Sequence, residues 1–137
     1  MVVSEKFVNA VRQRNLKGLE LNPINVEKYY QLTTDKEIEL SINTIVGINP
    51  FDLSTSSEGE IYKCAKGDTV GLNLLSEPYV TDCPSIKELD FFASRQKIGA
   101  KRGLLRPEPI YLCSPAFRQM VEQEKLSGFE FDITNIS

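Results

Sequence analysis

The sequence of this 137-residue chain predicts an α+β (or α/β) fold, with two strand-helix-strand units packed on one mixed sheet with extra antiparallel strands. A residue pattern near the start of the chain returns at its end, each copy has the signals of strand, helix and strand, and short β-rich runs lie between the copies. We therefore expect a single domain over 1–137, with an internal repeat at 1–24 and 110–134 around a variable middle at 25–109.

The repeat emerges when "SEKFVNAVRQRNLKGLEL" (4–21) is aligned with "SPAFRQMVEQEKLSGFEF" (114–131). Seven of the 18 aligned positions are identical, whereas average residue usage gives roughly one match by chance. The identical pairs are Ser4/Ser114, Phe7/Phe117, Val11/Val121, Gln13/Gln123, Leu16/Leu126, Gly18/Gly128 and Glu20/Glu130. Because the identities run the length of the unit, we expect both ends of the chain to adopt the same local structure.

Each copy carries the signals that begin and end a helix. Ser4 and Ser114 stand at the N-cap, where a hydroxyl accepts a hydrogen bond from a free backbone N–H group. Pro115 follows at the first helical position, where its missing N–H group costs nothing. Gly18 and Gly128 mark the exit from each unit, where a positive φ is often required.

Apolar periodicity places the buried faces of the two units. Residues spaced for one helical face occur in both copies: Phe7, Ala10, Val11, Phe117, Met120 and Val121. Leu16 and Leu126 are expected to seal the helix ends onto the sheet. "MVV" and "IYLC" precede the helices as strands, and the alternating runs "GLELNPI" and "GFEFDIT" predict half-buried strands after them.

The middle of the chain is rich in strand and turn signals. The predicted segments are one or two strands at 29–46, a loop at 49–60, short strands or turns at 60–84, one short helix at 85–94 capped by Ser85, and an exposed connection at 95–109.

Composition indicates an ordinary globular protein, with 41% hydrophobic and 26% charged residues. The net charge of −3 disfavours a general nucleic-acid binder.

The three cysteines, Cys64, Cys83 and Cys113, are too few and too scattered for a disulfide framework. No signal peptide and no apolar run of membrane-spanning length is found, so we expect a cytoplasmic protein that does not bind membranes.

The chain lacks the residues and motifs that most enzymes and metal-binding proteins use. The chain has no histidine, which removes the commonest general base and the commonest metal ligand. No dinucleotide or P-loop motif occurs, and the cysteines are too far apart for a ready zinc site. We expect no enzyme activity, no cofactor and no metal, with Cys113 an inert core residue. Glu20 and Glu130 remain the symmetric candidates for a catalytic carboxylate pair.

Charge is segregated along the middle of the chain. Residues 35–60 contain six acidic residues and one lysine, whereas residues 95–107 contain five basic residues and no acid. The two stretches could face each other, or the acidic stretch could meet a basic partner, or the basic stretch could meet phosphate. The candidate partner-binding residues are Asp52, Glu58, Glu60, Glu37 and Glu39.

The repeated pattern S-x-x-[FL]-x-x-x-[VL]-x-x-x-x-L-x-G-[LF]-E-[LF] resembles bacterial immunity proteins of the double-CxxCG (SitI-like) class and related polymorphic-toxin immunity families. "EKYYQL" (27–32) is similar to their tyrosine-rich strand. The chain lacks both CxxCG motifs, since "CAKG" (64–67) keeps a single cysteine, so zinc is not carried over. The resemblance implies a small cytoplasmic protein that binds and blocks one cognate protein toxin, and it implies no catalytic residues.

Three other functions stay open. The chain could be an oligomeric structural or adaptor module that uses an exposed sheet edge, or a carboxylate-based hydrolase that uses Glu20 and Glu130. It could also bind nucleic acid through 95–107, although this stretch lacks interleaved aromatic residues. The oligomeric state is not predicted.

Overall fold

A computed structural model describes residues 1–41, 45–47, 62–63, 69–70, 73–98 and 108–136. The helices of the described residues are α1 (Glu5–Arg14), α2 (Pro84–Glu88) and α3 (Pro115–Gln123). Their strands are β1 (Val2–Ser4), β2 (Glu20–Pro23), β3 (Tyr29–Thr33), β4 (Glu37–Ile38), β5 (Ile45–Gly47), β6 (Tyr62–Lys63), β7 (Thr69–Val70), β8 (Asn73–Glu77), β9 (Tyr79–Val80), β10 (Phe91–Ile98), β11 (Glu108–Cys113) and β12 (Asn135–Ile136). The prediction of an α+β fold is confirmed.

The strands form small sheets. Antiparallel pairing gives the order β1-β3-β2, a second three-stranded sheet has the order β11-β10-β4, and β5/β8 and β6/β7 are antiparallel pairs. The pair β12/β9 is parallel. The extra antiparallel strands are thus confirmed, but β1 and β11 lie in different sheets rather than in one shared sheet. Each pairs with a strand near it in sequence, and such pairing closes a shorter loop at a lower entropy cost.

The chain divides into two compact units. Unit 1 comprises Met1–Glu37, Cys83–Ala93 and Tyr111–Asp132. Unit 2 comprises Ile38–Asp82, Ser94–Ile110 and Ile133–Ser137. Both copies of the repeated helix therefore belong to unit 1.

The two repeated helices begin in the same way. The Ser4 hydroxyl oxygen accepts a hydrogen bond from the Phe7 N–H group at 3.4 Å, and that of Ser114 accepts from Phe117 at 3.1 Å. Pro115 opens α3, as expected. Both N-caps predicted from sequence are confirmed.

The two helices also end in the same way. Asn15 and Lys125 each have a φ of 51°. Leu16 donates its N–H to the carbonyl five residues back at 3.2 Å, and Leu126 does so at 3.0 Å. This left-handed turn is a Schellman motif, which satisfies carbonyls that the helix end leaves free. The residue with the positive φ is Asn15 in the first copy and Lys125 in the second. In both copies it comes three residues before the glycine that the sequence pattern places at the end of the unit.

Phenylalanines from both copies share one core in unit 1. The rings of Phe7 and Phe117 lie 5.9 Å apart, and Phe7 also stacks on Phe129 at 5.6 Å. Phe91 stacks on Phe117 at 5.4 Å. The predicted helical stripes are buried, and each fully buried large side chain contributes about 1.5–3 kcal/mol.

The helix predicted at 85–94 is wrong in both extent and cap. The helix α2 begins at Pro84 after Cys83, which makes no side-chain capping bond, and Leu89 is already extended. Phe91 begins the long strand β10, whose first four residues are buried. Aromatic residues favour a buried strand, so the second half of this segment joins a sheet instead. Residues 95–98, expected in an exposed connection, belong to β10 as well.

The strand predicted at "GFEFDIT" (128–134) is also wrong. Phe129 and Phe131 are partly buried against the core while Glu130 and Asp132 are exposed, so the expected alternation of side chains is present over 129–132, but it ends there because Ile133 is 81% exposed. However, residues 128–134 form no strand. Alternation sets the direction of side chains, whereas a strand also needs a hydrogen-bonding neighbour, which β3 gives to β2 in the first copy.

Two polar side chains of β10 complete backbone hydrogen bonding in unit 2. The buried Ser94 hydroxyl donates to the Gln96 carbonyl at 2.6 Å and accepts from the Ile110 N–H group at 2.8 Å. The Gln96 side-chain amide accepts from the Leu40 N–H group at 2.8 Å and donates to the Leu40 carbonyl at 3.4 Å. The Gln96 amide thus takes the place of a neighbouring peptide group beside Leu40.

Candidate partner-binding surface

Two of the five predicted partner-binding residues are described. Glu37 and Glu39 are exposed and alternate with the buried residues Ile38 and Leu40. Both carboxylates therefore lie on the solvent side of this extended run. The other three predicted residues lie outside the described part of the chain: Asp52, Glu58 and Glu60.

A basic residue lies close to the acidic stretch. A guanidinium nitrogen of Arg95 lies 3.9 Å from the Glu39 carboxylate, and the two side chains are 43% and 63% exposed. An ion pair in solvent contributes about 0–1 kcal/mol. The interpretation in which the acidic and basic stretches face each other is therefore supported at this point, and Glu39 is partly neutralised.

The carboxylates of Glu20 and Glu130 have different surroundings. The Glu20 carboxylate accepts a hydrogen bond from the Thr33 hydroxyl at 3.3 Å, across the pairing of β2 with β3. Glu130 is exposed, and no hydrogen bond or ion pair joins it to another described residue. The described contacts do not bring the two carboxylates into one site.

The exit from the first copy is covered by a neighbouring segment. The Lys17 N–H group donates to the Asp90 carboxylate at 2.8 Å, and the Lys17 carbonyl accepts from the N–H groups of Asp90 and Phe91 at 2.9 and 3.2 Å. A Cβ atom at Gly18 would collide with the Phe91 carbonyl oxygen. Glycine is required here both for this close approach and for its φ of 92°.

Asp90 connects the two copies of the repeat. Its carboxylate also accepts from the Ser114 hydroxyl at 2.7 Å, and its carbonyl accepts from the Ser114 N–H group at 2.9 Å. One residue thus joins the exit of the first copy to the N-cap of the second. Sequence reasoning missed Asp90, because it lies outside the repeat and no local pattern marks it.

Among the described residues, no neighbour covers Gly128 at the exit from the second copy. Gly128 has a φ of 87°, and a Cβ atom there would meet nothing within 4 Å. Ser127, Glu130 and Asp132 are exposed, while Phe129 packs against the core. We call residues 17–22 the first exit segment and residues 127–132 the second exit segment.

An open depression lies beside the first exit segment in unit 1. It is lined by Lys17, Lys87, Glu88, Leu89 and Asp90. Two lysines and two carboxylates balance in charge, so the lining favours neither an anion nor a cation.

Cys113 is partly buried against the core, as expected for a structural cysteine. Burial raises the pKa of its thiol, and the nearby Arg118 guanidinium opposes this by lowering it. The neutral thiol is therefore favoured over the reactive thiolate. Cys64 lies outside the described residues.

Across the described ranges, no three acidic, cysteine or histidine side chains are grouped so that they could hold a metal ion. None of the described helices has the length and hydropathy needed to cross a membrane.

The two copies of the repeat thus share their caps, their helix ends and their core, and they differ in what covers their exit segments. Comparison of the chain with family models, with curated proteins and with solved structures finds no match.

Proposed function

We propose that this chain is a non-enzymatic binding protein that acts in the bacterial cytoplasm as an immunity protein and neutralises a cognate protein toxin by direct contact. The observation that carries the proposal is the use of the repeated residues as scaffold. Ser4 and Ser114 cap helices, Gly18 and Gly128 form turns, and the phenylalanines form one core. An inhibitor needs a rigid scaffold and a complementary surface rather than a reactive group.

Exposed carboxylates give this scaffold a surface that suits a basic partner. Glu37 and Glu39 point to solvent from the same extended run, and Asp52, Glu58 and Glu60 continue the acidic stretch in sequence. Complementary charge speeds the encounter of two proteins and disfavours wrong partners. The acidic stretch is therefore our proposed contact region.

A growth assay tests the proposal. The gene adjacent to that of this chain is expressed from an inducible promoter in a heterologous bacterium, with and without the chain. We expect the neighbouring product to arrest growth and the chain to restore it. A product that stays toxic in the presence of the folded chain, or that is never toxic, would contradict the proposal.

Charge reversal tests the contact region. We expect the double variant Glu37→Lys, Glu39→Lys to protect less well, and the triple variant Asp52→Lys, Glu58→Lys, Glu60→Lys to lose protection. A matched control reverses the exposed residues Glu27 and Glu108, and it should protect as well as the original chain. Equal protection by all of these variants would remove the acidic stretch from the interface.

An adaptor module that assembles through an open edge is the second candidate, favoured by the open second exit segment. Sedimentation velocity separates the two functions, because an adaptor of this kind forms large homo-oligomers whereas an inhibitor of one toxin does not need to.

A further inference from the structure

The first exit segment pairs with a neighbouring strand of the chain. After its glycine it continues into β2, whose backbone pairs antiparallel with β3. Its exposed acid, Glu20, lies opposite Thr33 and accepts a hydrogen bond from the Thr33 hydroxyl. In the first copy, therefore, the backbone after the glycine and the outward-facing acid are both paired.

The second exit segment has the same turn, but no described strand pairs with it. Among the described residues, the backbone of 127–132 makes no hydrogen bond, and the exposed Glu130 carboxylate makes no hydrogen bond or ion pair. Nevertheless Phe129 and Phe131 are stacked at 6.2 Å and contact Phe117 in the core. The segment is thus held in place by its aromatic side chains, while none of its backbone donors and acceptors is paired with another described residue.

We propose that the second exit segment binds an extended strand of the partner protein, which pairs antiparallel with residues 130–132 as β3 pairs with the equivalent residues 20–22 of β2. That the partner is a toxin rests on the proposed function. Addition of a strand to an open edge gains affinity from backbone hydrogen bonds and specificity from alternate side chains. Because Phe129 and Phe131 already fix the segment, binding orders few additional groups.

The exposed side chains of the segment define the chemistry of that strand. Glu130 and Asp132 face solvent, whereas Phe129 and Phe131 face the core. Opposite charges stabilise directly facing residues on neighbouring strands. The strand that fits therefore alternates basic residues, opposite the two acids, with apolar residues on the face of the phenylalanines.

A second copy of this chain fits the segment less well. Symmetric pairing of two second exit segments would bring Glu130 and Asp132 of one molecule against the same acids of the other. Like charges directly opposite each other are destabilising. The charge pattern thus favours a different, basic chain over self-association.

The proposal is tested with the full chain and a labelled synthetic peptide of about nine residues, within the usual strand length, that alternates lysine with valine. Binding is measured by fluorescence anisotropy. One comparison peptide replaces the lysines by glutamate. Another carries N-methyl groups at alternate residues, which removes backbone donors without changing charge.

We expect the lysine peptide to bind and the glutamate peptide not to bind. The double variant Glu130→Lys, Asp132→Lys should weaken binding about tenfold, with a folded circular dichroism spectrum. The matched variant Glu20→Lys, Glu27→Lys should bind like the original chain, since Glu20 occupies the same place in the covered copy. N-methylation should weaken binding by about the same factor, because each lost backbone hydrogen bond costs affinity.

Any of the following results would contradict the inference. Failure of the lysine peptide to bind, equal binding to the folded double variant, or equal binding of the N-methylated peptide would exclude strand pairing at this segment. A dimer in sedimentation velocity that dissociates when Glu130 and Asp132 are reversed would make a second copy the occupant.

The growth assay separates this inference from the proposed function. If the chain neutralises a toxin and the Glu130→Lys, Asp132→Lys variant does so with unchanged affinity, the inference fails and the proposed function stands. If the peptide results hold but the neighbouring product is not toxic, the proposed function fails and the binding edge stands.

Discussion

Gly18 and Gly128 occupy the same position in the repeat but differ in their surroundings. Both have a positive φ, so an alanine is strained at either site. In addition, the new methyl group at position 18 collides with the Phe91 carbonyl oxygen, whereas at position 128 it meets nothing within 4 Å.

We therefore expect Gly128→Ala to cost about 1–3 kcal/mol of unfolding free energy from backbone strain alone, and Gly18→Ala to cost clearly more. Urea denaturation of the two variants gives the difference directly. Equal losses at the two sites would show that the Asp90–Phe91 segment does not lie against the first exit segment.

The Cys113 thiol makes the free energy of unfolding depend on pH. Burial raises its pKa, so the folded state keeps the proton at a pH where the unfolded thiol has lost it. The unfolding free energy contributed by this group should fall as the pH rises through the usual range of a thiol, and it should be constant below that range.

The rate of thiol modification by an aromatic disulfide, followed against pH in a Cys64→Ser, Cys83→Ser chain, checks the direction of this shift. We expect a midpoint above that of a free cysteine amide measured in parallel. Arg118→Gln should move the midpoint further up, because the guanidinium lowers the pKa. A midpoint at or below that of the free amide would contradict the burial of Cys113.

At the scale of elements, local signals were predictable from sequence and partner-dependent features were not. The N-caps at Ser4 and Ser114 involve residues within one helical turn, so the sequence pattern is sufficient to place them. Whether residues 128–134 form a strand depends on a hydrogen-bonding neighbour outside the segment, which their own alternation does not supply. Asp90 could not be predicted for a related reason, because its hydrogen-bonding partners, Lys17 and Ser114, are 73 and 24 residues away in sequence.

The Gln96 amide gives a test of such a long-range contact. Gln96→Glu keeps an acceptor for the Leu40 N–H group but places a carboxylate oxygen beside the Leu40 carbonyl. Because Leu40 is 8% exposed, we expect a loss of about 1–3 kcal/mol in unfolding free energy at neutral pH. The loss should shrink in acid, where the protonated carboxyl can again donate.

Thermal or urea unfolding at neutral and acidic pH measures this effect. The same exchange at the exposed residue Gln13 is the matched control and should change stability little at either pH. A loss for Gln96→Glu that is no greater than for Gln13→Glu would mean that the side chain does not pair with Leu40.

At the scale of the whole molecule, segregated charge predicts a strong response to salt. The acidic stretch was recognisable from sequence because charge is a property of composition, whereas the second exit segment required knowledge of which backbone groups pair with other described residues. Both surfaces are acidic, so a basic partner should associate more slowly as screening increases.

We expect the association rate of the lysine peptide to fall when ionic strength rises from about 0.1 M to about 1 M, since the Debye length drops from about 10 Å to about 3 Å. Stopped-flow anisotropy measures this rate. The Glu130→Lys, Asp132→Lys chain should show a weaker salt dependence, and an unchanged slope would place the attraction elsewhere on the molecule.

The shared phenylalanine core makes each copy of the repeat dependent on the rest of unit 1. Phe7 of the first copy contacts Phe117 and Phe129 of the second, and Phe91 from between the copies stacks on Phe117. A peptide of residues 110–134 alone would therefore expose one side of its phenylalanine cluster to water. We expect this peptide to be either unfolded or self-associated, and a folded monomer in sedimentation equilibrium would contradict that dependence.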